Sequence, residues 1–256
     1  MPELSTGVPL PVKRVGHKGA DLIAPGNTPA SFDAALAAGV DMIEFDVLPV
    51  DRAALETTRL VLCHDYSHAL DEVPGLEEGL AHLAGPAFDG IELDVDLKVP
   101  GCERRVVEAL RKHGLVERSL VSSQFMRSLV TVRELEPRLR LGWSVPRAKR
   151  DYTKSLVWVV PAMAALTVLK RTLPRSAGRA LGDGRADALM VHHRLISPPL
   201  VTAVQAAGGE LYAWTVDDLP TMRAMQAVGV TGIITNDPRL FDQLERPADP
   251  AAASPR

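Results

Sequence analysis

The chain has 256 residues, of which 46% are hydrophobic and 24% charged, enough apolar material for one large core and within the range of a single barrel-sized domain. A net charge of -3 and a pI near 6.2 give no basic footprint, so nucleic acid is not expected as a partner. Two cysteines, Cys63 and Cys102, make no disulfide framework, and the opening residues MPELSTGVPLPVKR lack the apolar run of a secretory signal; a cytoplasmic, reducing location is the expectation.

The first predicted strand, VKRVGH, ends at His17-Lys18-Gly19. Thr28 followed by Pro29 opens a helix, ASFDAALAAG, whose Phe32, Ala35 and Leu36 share one face and which stops at Gly39. MIEFDV follows and carries Glu44 and Asp46. The next apolar run, LVLCHD, comes too soon for a helical crossover, so it reads as a local hairpin that ends at His64-Asp65. GIELDVDLK brings Asp94, Asp96 and Lys98 onto one strand face.

The helix RRVVEALRKHG stops at Gly114 before SLVSSQF, and LRLGWSV follows. Ser197-Pro198 opens LVTAVQAAGG after the strand ALMVHH; Asp218 with Pro220 opens MRAMQAVG after LYAWTV; GIITND is last. Glycine after a helix supplies the left-handed cap, and helix, glycine and strand recur at Gly39, Gly114, Gly208 and Gly229. Setting the hairpin run aside leaves eight strands alternating with helices. The expected fold is therefore a (β/α)8 TIM barrel over residues 10–245, with a small hairpin insertion after strand 2, a long loop and helix region after strand 5, and a disordered Pro- and Ala-rich tail at 246–256.

A barrel of this type keeps its active site at the C-terminal strand ends, where His17, Glu44, Asp46, His64, Asp94, Asp96 and Lys98 fall. Like charges in a barrel mouth need compensation, and carboxylate oxygens favour Mg2+ or Ca2+ over zinc. The two histidines suit general acid and base roles.

HKGADLIAPGNTPASFDAALAAGVDMIEFDV, the HD of LVLCHD, the DLK of GIELDVDLK, LYAWTVDD and GVTGIITNDP, colinear from about residue 14 to 241, resemble the glycerophosphodiester phosphodiesterase family. The resemblance implies a metal-dependent phosphoric diester hydrolase that releases an alcohol and glycerol 3-phosphate. It implies His17 and His64 as the acid and base, Glu44, Asp46 and Asp96 as metal ligands, Lys18 and Lys98 toward the phosphate, and Trp214 as an apolar wall. Three positions depart from the family: Lys18 stands in place of Arg, Gly26 in place of the Glu of its Pro-Glu-Asn-Thr segment, and Asp96 in place of Glu.

Asp94 reads either as a residue that orients metal ligands or as a hydrogen-bonded structural one. His192 and His193 end a strand and could reach the site; His113 sits one residue before a helix-ending glycine, where the helix dipole favours it; His68 and His82 belong on the surface. The region 147–187 reads as the outer helix of the fifth βα unit plus a loop; its apolar part, SLVWVVPAMAALTVL, is too short to span a bilayer and is interrupted by Pro161. Its competing reading is an apolar lid, rimmed by Lys149, Arg150, Lys154, Lys170, Arg171 and Arg175, in peripheral contact with membrane lipid. Two other functions share the same residues: a lysophospholipase D-like or sphingomyelinase D-like phosphodiesterase, and a phosphate-binding barrel without turnover.

Overall fold

A computed structural model describes residues 11–67, 70, 72–146 and 159–244, with the side chains of 159–166 excepted. The 246–256 tail, His68, Lys149, Arg150 and Lys154 lie outside them. The strands are β1 (Lys13–Gly16), β2 (Met42–Pro49), β3 (Leu60–Leu62), β4 (Glu92–Leu97), β5 (Ser119–Ser123), β6 (Arg140–Val145), β7 (Ala188–His192), β8 (Glu210–Trp214) and β9 (Gly232–Thr235). Eight of them are parallel neighbours in the order β1-β2-β4-β5-β6-β7-β8-β9, and β9 pairs back onto β1, which closes the barrel. The ninth, β3, runs antiparallel along β2 from Val47↔Leu62 to Pro49↔Leu60, the expected hairpin insertion.

Helices α1 (Pro29–Ala37), α2 (Leu76–Leu83), α3 (Glu103–Lys112), α4 (Met126–Leu135), α5 (Val159–Gly182), α6 (Pro198–Ala206), α7 (Leu219–Val228) and α8 (Leu240–Leu244) surround the strands. Thr28 and Asp218 cap α1 and α7 by accepting from the Ser31 and Thr221 backbone N–H groups; Ser197 stands at the cap of α6 without such a bond. All four helix-ending glycines adopt positive φ, from 69° to 88°.

Strand alternation sorts the residues of β2 into two rows. Ile43, Phe45 and Val47 face outward into a core with Phe32, Leu80, Val106 and Leu129 of the surrounding helices. Met42 faces inward and packs with Val15, Leu120, Ala188, Met190, Tyr212 and Ile234, the apolar filling of the barrel. Glu44 and Asp46 share the inward row, and the register sets them beside Asp94 and Asp96 of β4. The Tyr212 ring fills the centre so closely that a Cβ on Gly232 would meet it at 2.6 Å.

The other half of the outer core joins Leu189, Val191, Leu211 and Ile233 to Leu173, Ala177, Leu200 and Met222. Leu173 and Ala177 belong to α5, so 167–182 forms the outer helix of the fifth βα unit. Of the region read as a lid, residues 147–158 and the side chains of 159–166 lie outside the described ones, and the rest begins at α5. Among those described, no helix is long and apolar enough to cross a membrane.

Candidate active site

The C-terminal strand ends enclose a cavity of about 150 Å³ lined by His17, Glu44, His64, Asp94, Asp96, Lys98 and Trp214, together with Ser122, Gln124 and Thr215. Glu44, Asp46, Asp94 and Asp96 are all buried. His17 follows β1 and its backbone N–H continues the β1–β9 ladder to the Thr235 carbonyl. His64 follows β3 and is half-exposed at the mouth, its Nδ1 3.2 Å from Asp65 Oδ2. The insertion thus returns His64 to the barrel mouth, which no eight-strand alternation would do.

Two loop residues grip the two carboxylates of β2. The Lys18 backbone N–H donates to Glu44 Oε2 at 2.8 Å. Asn27 clamps Asp46 twice: its Nδ2 donates to Asp46 Oδ2 at 2.9 Å, and its Oδ1 accepts from the Asp46 backbone N–H at 3.0 Å. Lys18 and Asn27 are also the described non-glycine residues with positive φ, 51° and 60°. Such backbone is disfavoured by sterics and is held only where the surroundings fix it, here against the carboxylates.

His17 is oriented from the opposite side. Thr235 Oγ1, the Asn236 backbone N–H and Asn236 Nδ2 all donate to the Asp217 carboxylate, at 3.1, 2.8 and 2.8 Å. This turns Asn236 Oδ1 toward His17 Nδ1 at 2.6 Å. An amide oxygen only accepts, so Nδ1 carries the proton and Nε2, 3.8 Å from Glu44 Oε2, is the unprotonated nitrogen of the neutral ring. Burial holds the His17 imidazole below its ordinary range, and Lys18 and Lys98 add to the shift against the pull of Asp46 and Asn236.

Burial, and then the neighbouring Asp46 charge, push Glu44 well above the usual carboxylate range. Burial also raises Asp96, and pushes Asp94 up to about 8 despite its hydrogen bond with Ser122. In Asp46 burial is outweighed by Lys98, His64 and His17, which hold this carboxyl below its ordinary range. Burial disfavours the Lys98 ammonium too, yet Asp46, Asp96 and Glu44 outweigh it and keep the ammonium charged.

One oxygen each from Glu44, Asp46 and Asp96 lies within 4.8 Å of the others. Oxygens around one Mg2+ or Ca2+ span up to about 4–5 Å, so the three fit a shared cation without Asp96 being lengthened to Glu. Asp94 Oδ1 and Asp96 Oδ1 are buried without a hydrogen-bond partner, a state that native interiors rarely leave uncompensated.

The expected lysines sit differently from one another. Lys98 reaches the cavity, with Nζ between Asp46 and Asp96. Lys18 Nζ instead pairs with Asp21 Oδ2 at 3.1 Å, while Asp21 Oδ1 accepts from the Gly26 backbone N–H at 2.9 Å. A Cβ on Gly26 would stand 2.5 Å from that Oδ1, so Asp21 fills the space a longer residue at 26 would need. The departures at Lys18 and Gly26 are therefore one linked arrangement.

Trp214 lines the cavity and meets the edge of His192 with centroids 5.2 Å apart; His192 stacks on His193 at 4.4 Å, and neither histidine lines the cavity. His113 is the cap of α3 and pairs with Glu77; His82 pairs with Asp33. Asn27, Ser122, Gln124, Asp217 and Asn236 were not singled out from sequence. The positive φ of Asn27 leaves no trace in a sequence beyond the turn-like GNT, and Asn236 lies in the GIITND strand-end motif.

A glycerophosphodiester phosphodiesterase of Caldanaerobacter subterraneus is 28% identical over 267 residues, spanning 91% of this chain and 97% of the relative. The fold is shared with a glycerophosphodiester phosphodiesterase of Parabacteroides distasonis, TM-score 0.68 at 19% identity over 90% of this chain and 95% of that one. It is shared as well with an Oleispira antarctica phosphodiesterase solved with the product sn-glycerol-3-phosphate, TM-score 0.63 at 21% identity over 91% and 96%. The sequence pattern of the glycerophosphoryl diester phosphodiesterase family matches residues 92–240, more than half the chain and the stretch that supplies Asp94, Asp96, Lys98, Trp214 and Asn236. On that match, the chain belongs to the glycerophosphoryl diester phosphodiesterase family.

Proposed function

We propose that this barrel hydrolyses glycerophosphodiesters to an alcohol and glycerol 3-phosphate with His17 and His64 as base and acid and a divalent cation held by Glu44, Asp46 and Asp96. The observation that carries this reading is the meeting of both histidines and the carboxylate cluster around one cavity. Mg2+ or Ca2+ bound there would polarise a phosphoryl oxygen and offset the cluster's negative charge.

His17, fixed with its proton on Nδ1, presents Nε2 to take the proton of the attacking oxygen. His64, its Nδ1 3.2 Å from Asp65 Oδ2, gives a proton to the departing alkoxide. Asn27 and the Lys18 backbone hold Asp46 and Glu44 in place; Trp214 walls the substrate; Lys98 supplies positive charge toward the phosphate. Both histidines facing one cavity with Glu44, Asp94 and Asp96 argue against a barrel that only binds phosphate. Cytoplasmic residence belongs to the same reading, supported by two buried free thiols, Cys63 and Cys102.

The roles of the two histidines are separable. With glycerophosphocholine, His17→Ala and His64→Ala each lose about 100-fold or more in kcat. With glycerol 3-phospho-p-nitrophenol, whose leaving group needs no proton, His64→Ala regains most of its rate and His17→Ala does not. Equal rescue of both variants would remove the assignment.

A second substrate reading has its own observation. A groove of about 580 Å³ beside the cavity is lined by Phe125, Met126, Trp143, Val145 and Leu169, and shares Gln124 and Ser144 with it. An acyl chain would fit its apolar wall, as in a lysophospholipase D-like enzyme. Faster turnover of lysophosphatidylcholine than of glycerophosphocholine supports that reading, and the reverse preference removes it.

A further inference from the structure

The ammonium of Lys98 stands where a bound metal would be needed. Its Nζ lies 2.5 Å from Asp46 Oδ1 and 2.5 Å from Asp96 Oδ2. Both aspartates belong to the three carboxylates whose oxygens gather within 4.8 Å. A divalent cation drawing on the same two aspartates and an ammonium held at hydrogen-bond distance from both would repel each other at close range. The two cations are therefore competitors for one site.

Lys98 also has somewhere to go. It lines both the central cavity and an outer cavity of about 680 Å³ that it shares with His64 and Phe125. Its four-carbon stem carries a compact charge with three rotatable donors, suited to changing partners. Phosphate oxygens entering beside His64 would offer that charge new acceptors.

We propose that Lys98 is the resident cation of the carboxylate cluster, that a divalent metal displaces it, and that the displaced ammonium then grips the substrate phosphate, so that metal loads before phosphate is held. This rests on the metal site proposed above. It explains how a cluster of buried carboxylates is tolerated, and it gives Lys98 two successive partners. Metal and phosphate then bind cooperatively through a group on the protein, in addition to any direct contact between them.

Mn2+ binding, followed by the paramagnetic signal of the free ion, and sn-glycerol 3-phosphate binding, followed by calorimetry, test the exchange in the wild type and in Lys98→Met. Expected are Mn2+ binding about tenfold tighter in Lys98→Met, where nothing has to be displaced, and product binding to the Mn2+-loaded variant about tenfold weaker. Unchanged Mn2+ affinity means that Lys98 does not hold the metal position; unchanged product affinity means that it never leaves it. Either result overturns the exchange while the metal site stands. Absence of Mn2+ binding to both proteins overturns the metal site itself, and the exchange with it.

Should Lys98→Met not fold, amine labelling of the wild type read by mass spectrometry decides. Lys98 is expected to react at least severalfold faster with Mn2+ than without it, and to be protected again by glycerol 3-phosphate. Labelling at the same rate in all three conditions overturns the proposal.

Discussion

Asn236 touches neither a carboxylate of the cluster nor the open cavity, yet it determines which nitrogen of His17 is available. Its amide is fixed by Asp217, and its oxygen leaves Nδ1–H as the only compatible tautomer. Asn236→Ala should lower kcat about 10- to 100-fold with little change in KM, since the ring is still present but free to turn. An unchanged kcat would show that His17 is oriented by other means. Glu44 and Asp46 were legible in the sequence because strand parity sets their direction regardless of the rest of the fold. Asn27, Asn236 and the pairing of Lys18 with Asp21 were not, because loop side chains find their partners only once distant segments have met.

Among the elements, β2 and β4 define the site, since one register places Glu44 beside Asp94 and Asp46 beside Asp96. The same inward row begins, at the far end of the barrel, with Glu92. It accepts from Lys13 Nζ at 2.7 Å and Arg140 Nη1 at 2.8 Å, and Arg140 reaches on to Glu210 at 3.1 Å, a polar plug under Tyr212. Burial disfavours the Glu92 charge, but Lys13 and Arg140 outweigh it and set the carboxyl below its ordinary 4.5. A carboxyl depressed in the folded state stabilises the fold above its unfolded value and loses that contribution as pH falls through the folded one. Glu92→Gln should therefore melt below the wild type at about pH 7, with the gap closing as the pH is taken below the usual glutamate range. A gap that stays constant through the acid range would contradict the plug's electrostatic role.

The legibility of the elements follows their chemistry. The eight barrel strands and the hairpin insertion were readable from apolar runs, and α1, α3, α6 and α7 from the glycines that end them. α4 carries no such signal: it ends at Glu136, whose extended backbone precedes Pro137. α2 likewise passes through Ala84 before Gly85 and has no side-chain bond at its Gly75 cap.

At the scale of the molecule, barrel closure is what makes a site out of residues scattered along the chain. His17 and Asn236 are 219 positions apart and meet because β9 pairs with β1. His64 joins them from the insertion, and β4 completes the cluster with Asp96. The motifs were visible one by one in the sequence, while the enclosure that raises Asp94 and Glu44 and lowers His17 comes from closing the sheet. The most direct test is release of glycerol 3-phosphate from glycerophosphocholine by the purified protein, with Mg2+, with Ca2+ and with a chelator, beside His17→Ala. Release that needs a divalent cation and is lost in the variant is expected; release that persists in chelator, or in His17→Ala, would contradict the metal and histidine roles.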